Sequence, residues 1–193
     1  RIVGGITSGC SKRAVELYKI FVEGECLTTD ARTAEMTKLT ENSFRDVNIA
    51  FANELSIICD KQGIDVWELI RLANHHPRVN ILNPGPGVGG HCIAVDPWFI
   101  VSESPEESRL IRTARGVNDS KPQWVVQKVD EAIEALTANG LDPAEIKIAC
   151  LGLAFKADID DLRESPALQI TKYITQKYPG QVVAVEPNID LKC

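Results

Sequence analysis

The sequence predicts a mainly α central domain with a long spine helix, followed by a truncated α/β (Rossmann-like) C-terminal domain. Residues 33–62 carry apolar side chains at helical spacing and end before a glycine. Residues 77–97 hold four prolines and four glycines, too many for a regular helix or a central strand. Residues 146–185 give a strand, a helix and a strand, the opening unit of a doubly wound fold.

Composition excludes several classes of protein. The 193 residues are 44% hydrophobic and 25% charged, which is ordinary for a globular domain and unlike a disordered or collagen-like chain. The formal net charge of −6 offers no basic footprint for nucleic acid, and no apolar run reaches the ~18 residues of a membrane span. We therefore expect neither nucleic acid nor a membrane as a partner. Because the chain opens on a strand-like segment without Met, we expect it to be cut from a longer one.

The first 30 residues predict a short strand, a helix and a second strand. Ile2 and Val3 are extended, residues 13–22 have helical spacing, and residues 26–28 are extended again. This order of elements predicts a β-α-β unit that precedes the spine helix.

The spine helix has a start and a stop signal. Thr33 is the expected N-cap and Gly63 the expected C-terminal stop. Asp65 with Glu68 then resembles a capping box and predicts the start of another helix, which Pro77 ends.

Two further helices are expected beyond the proline- and glycine-rich loop, over residues 106–118 and 121–137, with Pro122 near the first turn of the second. The last unit is predicted as strand, helix and strand at residues 146–153, 165–176 and 181–185. Two strands alone do not make a stable sheet, so we expect this unit to lack neighbouring strands.

The cysteines do not predict a disulfide framework or a zinc site. Their spacing is wide, without a CxxC pair, and the three histidines add no metal-ligand spacing. Cys59 and Cys150 lie in apolar runs and are interpreted as small core residues. This usage favours a reducing, cytoplasmic compartment without a bound metal. The six are Cys10, Cys26, Cys59, Cys92, Cys150 and Cys193.

Cys92 differs because it closes the glycine-rich loop. Residues 85–90 formally match GxGxxG, but no predicted strand precedes them and no helix follows, which excludes a dinucleotide-binding turn. Glycines let a backbone approach a ligand closely. Cys92, with Asp96 four residues on, is either a nucleophile or a structural cysteine beside a tight turn. His91 is a poor activating base, since neighbours in an extended loop point apart.

Two sets of polar residues allow two interpretations each. On the spine helix, Lys38, Asn42 and Asn53 fall on one mostly polar face, which either lines a cleft or is solvated. Lys156 and Arg163 follow the strand of the last unit and are either phosphate ligands or ordinary surface charges.

Three segments, in this order, resemble the UDP-glucose/GDP-mannose dehydrogenase family over essentially the whole chain. They read AEMTKLTEN at 34–42, GVGGHCIAVDP at 87–97 and FKADIDDLRESP at 155–166. Further segments at 48–54, 66–70 and 91–99 are most similar to members that act on UDP-N-acetylmannosamine. UDP-N-acetylglucosamine and UDP-glucose stay open as substrates.

The resemblance implies oxidation of a sugar C6 alcohol to a carboxylate in two steps, with two NAD per turnover. Cys92 would attack the intermediate aldehyde and carry a thioester that water hydrolyses. Lys38 and Asn42, one helical turn apart, would stabilise the oxyanion. Asp96 would orient or activate water and hold Lys38.

The resemblance also implies binding residues and a partner. Gly89 and Lys156 would contact the nucleotide sugar, and Arg78 would reach the substrate of a neighbouring subunit. Arg163 would meet NAD. A homodimer through the long helix is expected, since an apolar face of that length needs a partner.

By the same resemblance, residues 1–32 would be the C-terminal remnant of an NAD-binding Rossmann domain and residues 33–140 the dimerisation and substrate domain. Residues 141–193 would begin a nucleotide-sugar-binding domain. We expect the isolated chain to be inactive. The alternatives are a helical oligomerisation module without chemistry and, more weakly, another thiol enzyme.

Overall fold

The computed structural model describes residues 1–189, so Cys193 and the end of the predicted last domain lie outside the described residues. Six α-helices and four strands are present in that part. In chain order they are β1 (Ile2–Gly5), α1 (Ser8–Tyr18), β2 (Leu27–Asp30), α2 (Ala31–Gln62), α3 (Val66–Ala73), α4 (Asp96–Glu103), α5 (Arg109–Ala138), β3 (Ile148–Leu151), α6 (Pro166–Lys177) and β4 (Val182–Val185).

The first three elements form the predicted β-α-β unit. β1 and β2 pair in parallel, with Val3 opposite Thr28. Helix α1 begins and ends earlier than the predicted range of 13–22. Its N-cap Thr7 accepts the N–H of Cys10 through its hydroxyl, and this cap starts the helix in a polar stretch that carries no apolar periodicity.

The spine helix α2 has 32 residues and the predicted end, but its predicted start was wrong. Asp30, not Thr33, is the N-cap: its carboxylate accepts the Thr33 N–H at 3.0 Å and the Thr33 hydroxyl at 2.6 Å. A charged acceptor beside the unpaired N–H groups of a helix start is favourable. Gly63 ends the helix with a left-handed φ of 67°.

The next helix begins as predicted, since Asp65 caps α3 by accepting the N–H groups of Trp67 and Glu68. It ends at Ala73, a full turn before Pro77. After this end, the side chain of Asn74 holds the following segment against the helix. It accepts the N–H of Ile81 at 2.7 Å and donates to the carbonyl of Ile81 at 3.0 Å.

The two helices predicted at 106–118 and 121–137 are one helix, α5, which runs through Pro122. Proline has no N–H to donate to the carbonyl four residues earlier, that of Asn118, and this loss normally ends a helix. Here α5 is held on both sides of Pro122 because it packs against α2, α4 and α6. The expectation that no helix follows the glycine-rich loop was wrong, because helix α4 begins at Asp96. Pro97 lies in its first turn, where the missing N–H of proline has no helical partner to lose.

The C-terminal unit confirms the strand-helix-strand prediction. β3 and β4 pair in parallel, and Ser165 caps α6 with Pro166 at its first turn. Its core is continuous with the second half of α5. That core consists of Val126, Ile170 and Ile174, against which Ile148, Cys150 and Val182 pack. None of the helices in the described part of the chain is both long and apolar enough to cross a membrane.

Two glycines in these helices predict opposite effects of the same substitution. Gly63 has φ +67° with open space around it, so Gly63→Ala is expected to lower the free energy of unfolding by about 1 kcal/mol through backbone strain. Gly116 lies inside α5, also in open space, so Gly116→Ala is expected to raise it by roughly 0.5–1 kcal/mol. Urea unfolding followed by circular dichroism measures both. Changes of the same sign in the two variants would contradict the assignment of Gly63 as a left-handed cap.

Candidate active site

The structure brings three of the predicted catalytic side chains together. Lys38 and Asn42 lie one turn apart on α2, with Lys38 Nζ 3.4 Å from Asn42 Oδ1. Asn42, which is buried, donates from Nδ2 to Asp96 Oδ2 at 2.5 Å. Asp96 is the first residue of α4. The expected direct contact of Asp96 with Lys38 is replaced by one through Asn42, while Lys38 Nζ also lies 3.4 Å from Glu41.

Cys92 lies one turn before Asp96 with an exposed side chain. Its backbone carbonyl accepts the N–H of Asp96 at 2.8 Å and that of Val95 at 3.1 Å. The glycine loop therefore leads directly into helix α4, and the start of this helix ties the backbone of Cys92 to the residue that bonds Asn42. His91 is exposed as well. Cys59, in contrast, is buried as predicted.

Arg163, on the segment between β3 and α6, is paired with Asp161. Its guanidinium donates to both carboxylate oxygens of Asp161, at 2.6 Å to Oδ2 and 3.0 Å to Oδ1. This hydrogen bonding lowers the pKa of Asp161 to about 2. Asp161 in turn raises the pKa of Arg163. This exposed ion pair lies on the segment whose backbone accepts the N–H of Gly90, two residues before Cys92.

The glycines of the loop permit a close approach, but to the protein's own chain. A Cβ at Gly89 would lie 2.5 Å from the carbonyl oxygen of Glu164 and 2.7 Å from Cβ of Phe155. Gly90 has φ +82°, and its N–H donates to the carbonyl of Arg163 at 3.3 Å. The loop is therefore pressed onto the segment between β3 and α6, and contact of Gly89 with a ligand stays a prediction.

A cavity of about 550 Å³ lies at the carboxyl ends of β3 and β4, where ligands bind in open α/β sheets. The exposed Lys156 lines it together with Phe155. Glu186, at the end of β4, shapes its wall by accepting the N–H groups of Leu153 and Ala154 at 2.7 and 2.9 Å. The pKa of Glu186 is lowered mainly by the hydrogen bond that its carboxylate accepts from the backbone N–H of Asn188.

Arg78 lies apart from this cluster. It is exposed on the segment after α3, and its backbone N–H donates to Nδ1 of His76 at 3.2 Å. Within residues 1–189 its guanidinium takes part in no hydrogen bond or ion pair. Its predicted role at a neighbouring subunit stays a prediction.

Sequence reasoning missed a buried polar network behind the loop. Arg115 and Asp46, 2% and 0% exposed, form an ion pair at 2.6 Å between α5 and α2. Burial raises the pKa of Asp46 against the attraction of Arg115. Asn118 donates to Asp46 Oδ1 at 2.8 Å and accepts from Asn53 Nδ2 at 2.9 Å. The available signal was the spacing of seven between Asp46 and Asn53 on one helix.

A second buried cation lies beside that network. Lys121 donates to the hydroxyl of Ser56 at 2.5 Å, and its ammonium lies 3.6 Å from the ring centre of Trp124. Burial lowers the pKa of Lys121 to about 8. An aromatic face and one hydroxyl replace water only partly around this cation.

Comparison with known proteins supports one family over both parts of the chain. The central domain of the UDP-glucose/GDP-mannose dehydrogenase family matches residues 32–120, and the UDP binding domain of the same family matches residues 149–192. Together these matches include Lys38, Asn42 and Cys92 on one side and Lys156 on the other.

Individual relatives are highly similar over nearly the whole chain. The UDP-N-acetyl-D-mannosamine dehydrogenase of Escherichia coli (strain K12) is 68% identical over 190 residues, which are 98% of this chain and 45% of that protein. The NDP-N-acetyl-D-galactosaminuronic acid dehydrogenase of Ralstonia solanacearum is 63% identical, over 98% of this chain and 43% of that protein. The chain thus spans less than half the length of these relatives.

The fold is also that of a solved relative. The structure of the UDP-N-acetyl-mannosamine dehydrogenase Cap5O from S. aureus superposes with a TM-score of 0.87 at 48% identity, covering 100% of this chain and 44% of that one. The helical part and the C-terminal unit of this chain therefore have the arrangement found in that enzyme.

The packing of the glycine loop predicts that two of its glycines differ sharply in tolerance. Gly89→Ala is expected to lower the free energy of unfolding by about 1–3 kcal/mol, because the added Cβ collides with backbone and with Phe155. Gly85→Ala is the matched control, since the nearest atom to its Cβ lies 4.0 Å away. Chemical unfolding compares the two variants, and equal stability would show that the loop is not pressed onto the C-terminal unit.

Proposed function

The chain belongs to the UDP-glucose/GDP-mannose dehydrogenase family, and we propose that its parent protein oxidises the C6 alcohol of UDP-N-acetylmannosamine to the uronate. The observation that carries the proposal is the cluster of Lys38, Asn42 and Asp96 one helical turn from the exposed thiol of Cys92. High identity to relatives named for that substrate supports the choice of sugar.

Lys38 and Asn42 are suited to stabilise negative charge on the reacting oxygen. Asn42 Nδ2 carries two N–H groups, and only one is needed for Asp96. The Lys38 ammonium carries three, so donors remain on both side chains for an oxyanion. Donors held in place before the reaction lower the barrier where charge develops. In the first oxidation the alcohol loses a proton and a hydride and becomes an aldehyde.

Cys92 would convert the aldehyde to the acid. Its thiolate adds to the aldehyde carbon and forms a thiohemiacetal, whose oxygen the same two donors stabilise. Loss of a second hydride from that carbon leaves a thioester. Water then attacks the thioester carbonyl, the carbon–sulfur bond breaks, and the uronate and the free thiol are released. The second oxygen of the Asp96 carboxylate can accept the proton of that water.

NAD, when bound, accepts one hydride in each oxidation step, two per turnover. Within this chain Arg163 is proposed to contact it, because its side chain is exposed on the segment whose backbone accepts the N–H of Gly90, two residues before Cys92. Its pairing with Asp161 fixes the guanidinium in place.

Binding of the nucleotide sugar is proposed for the cavity at the carboxyl ends of β3 and β4. Lys156 supplies a cation for the diphosphate, and Pro86 of the glycine loop lines the same cavity. Gly89 is proposed to contact the nucleotide sugar through its backbone. Arg78 is proposed to reach the substrate of a neighbouring subunit. The division of the chain into domains at residues 1–32, 33–140 and 141–193 is likewise a proposal.

A homodimer through α2 is proposed from its exposed apolar face. Phe44, Phe51 and Ile58 follow one another at intervals of seven residues and are 69%, 54% and 42% exposed. A seven-residue repeat places them in one seam along the helix. A seam of large apolar side chains favours pairing with the same seam of a second copy.

Replacing the thiol tests the proposed chemistry. In the full-length parent, Cys92→Ser is expected to lower uronate formation by roughly a thousandfold or more, since an alcohol is a much weaker nucleophile than a thiolate. Cys10→Ser, at another exposed thiol, is the matched control and keeps its activity. NADH absorbance and mass spectrometry of the product measure both. Wild-type turnover by Cys92→Ser would refute the mechanism. Equal turnover of UDP-N-acetylmannosamine, UDP-N-acetylglucosamine and UDP-glucose would contradict the proposed substrate. NADH formation by the isolated chain would contradict its predicted inactivity.

A charge in the apolar seam tests the dimer. Phe51→Glu is expected to yield monomers in light scattering of the full-length parent, because two like charges would meet in a dry seam. Leu110→Glu, which replaces an exposed apolar residue on α5, is the control and is expected to leave the dimer intact. A dimer that persists in Phe51→Glu at micromolar concentration contradicts the assignment of the interface to α2.

A further inference from the structure

Helix α2 is bonded both to the start of the loop that ends on Cys92 and to the helix that follows this loop. Beyond the loop, Asn42 donates to Asp96, the first residue of α4, at 2.5 Å. At the start of the loop, the backbone N–H of Gly85 donates to Oδ1 of Asn53 at 2.8 Å. The two asparagines lie about three turns apart on the helix that also carries Lys38. One rigid element therefore holds both the proposed oxyanion donors and the loop that carries the thiol.

The orientation of the Asn53 amide is determined by its neighbours. A carboxylate only accepts hydrogen bonds, so Asn118 must turn its NH₂ to Asp46, as it does at 2.8 Å. Its oxygen then faces Asn53 and accepts from Nδ2 at 2.9 Å. Only Oδ1 of Asn53 is left to face the loop, and it accepts from Gly85. The charge of Asp46 thus sets the direction of the whole relay.

The relay is closed to water. Asn53 and Asp46 are 0% exposed and Asn118 is 1% exposed, so solvent cannot replace a lost partner. The 2%-exposed Arg115 balances the charge of Asp46 through their ion pair at 2.6 Å. A buried amide with both ends used has one stable orientation, and the Gly85 N–H has one acceptor.

We propose that Asn53 is a positioning residue for the thiol chemistry: its side-chain carbonyl holds the start of the loop so that Cys92 is presented to Lys38 and Asn42. The inference rests on the proposed function. It goes beyond a structural role, because Asn53 could satisfy Asn118 without contacting the loop. An amide confined to the core would not affect the position of Cys92, which follows Gly85 by seven residues.

Two substitutions break the same bond from opposite sides. Asn53→Leu removes the acceptor at similar volume, and with it the donor to Asn118, whereas Gly85→Pro removes only the N–H donor of the loop. Each is expected to lower kcat of the full-length parent by about 10- to 100-fold, because a displacement of the thiol by about 1 Å has that effect on rate. KM for the UDP-sugar is expected to change by less than about threefold, since Gly89 remains packed on Phe155 and Lys156 is untouched. If both act through one bond, the double variant is no slower than either single variant.

Two matched controls separate positioning from stability. Ser56→Ala removes a buried hydroxyl one turn along the same face. This hydroxyl donates to the backbone carbonyl of Asn53 and accepts from Lys121, but it does not bond the side chain of Asn53 or the loop. Gly85→Ala keeps the N–H and adds a Cβ in open space. Both are expected to keep the wild-type kcat, whatever their melting temperature. Gly85→Pro keeps the test available if Asn53→Leu does not fold.

A second readout is independent of turnover. The alkylation rate of Cys92 by iodoacetamide, measured by mass spectrometry relative to the exposed Cys10, is expected to change in Asn53→Leu and Gly85→Pro and to stay constant in both controls. Wild-type kcat and an unchanged Cys92 rate in folded Asn53→Leu would overturn the inference, as would fully multiplicative losses in the double variant. Failure of the proposed function is distinguishable, because it shows as full activity of Cys92→Ser while the alkylation rates still respond to Asn53.

Discussion

The ion pair between Asp46 and Arg115 joins the two long helices where water has no access, and much of the polar interior depends on it. Each charge alone would carry a large desolvation penalty, so the two must lie together. Arg115 also bonds Asp119 one turn along α5. Because Asn118 is oriented by Asp46, and Asn53 by Asn118, the pair determines how two long helices and one loop share hydrogen bonds. Breaking such a pair costs about 3–5 kcal/mol.

The glycine loop is the second constraint, since it contacts both parts of the chain. Its start is bonded to α2 through Asn53, and the helix that follows it is bonded to α2 through Asn42. Its middle is pressed onto the segment between β3 and α6, where only glycine fits at position 89. The loop therefore transmits the position of the helical part to the C-terminal unit.

Local signals predicted most elements, and their failures have physical reasons. The stop at Gly63 and the caps Asp65 and Ser165 act within a few residues, so they could be recognised directly. The continuity of α5 through Pro122 could not, because packing against α2 and α6 outweighs the lost hydrogen bond. The N-cap of α2 is Asp30 and not the predicted Thr33, because capping depends on where the backbone leaves the preceding strand.

The sequence by itself determined the family, the candidate thiol and the helix that carries Lys38 and Asn42, because residue types and short spacings are properties of the chain. Only the tertiary structure decided which of the polar residues are used together. Asn42 reaches Asp96, Asn53 reaches Gly85, and Asp46 reaches Arg115 across gaps of 54, 32 and 69 residues. Periodicity within one helix cannot reveal such pairs, since hydrogen bonds and ion pairs act over a few ångströms in space and not along the sequence.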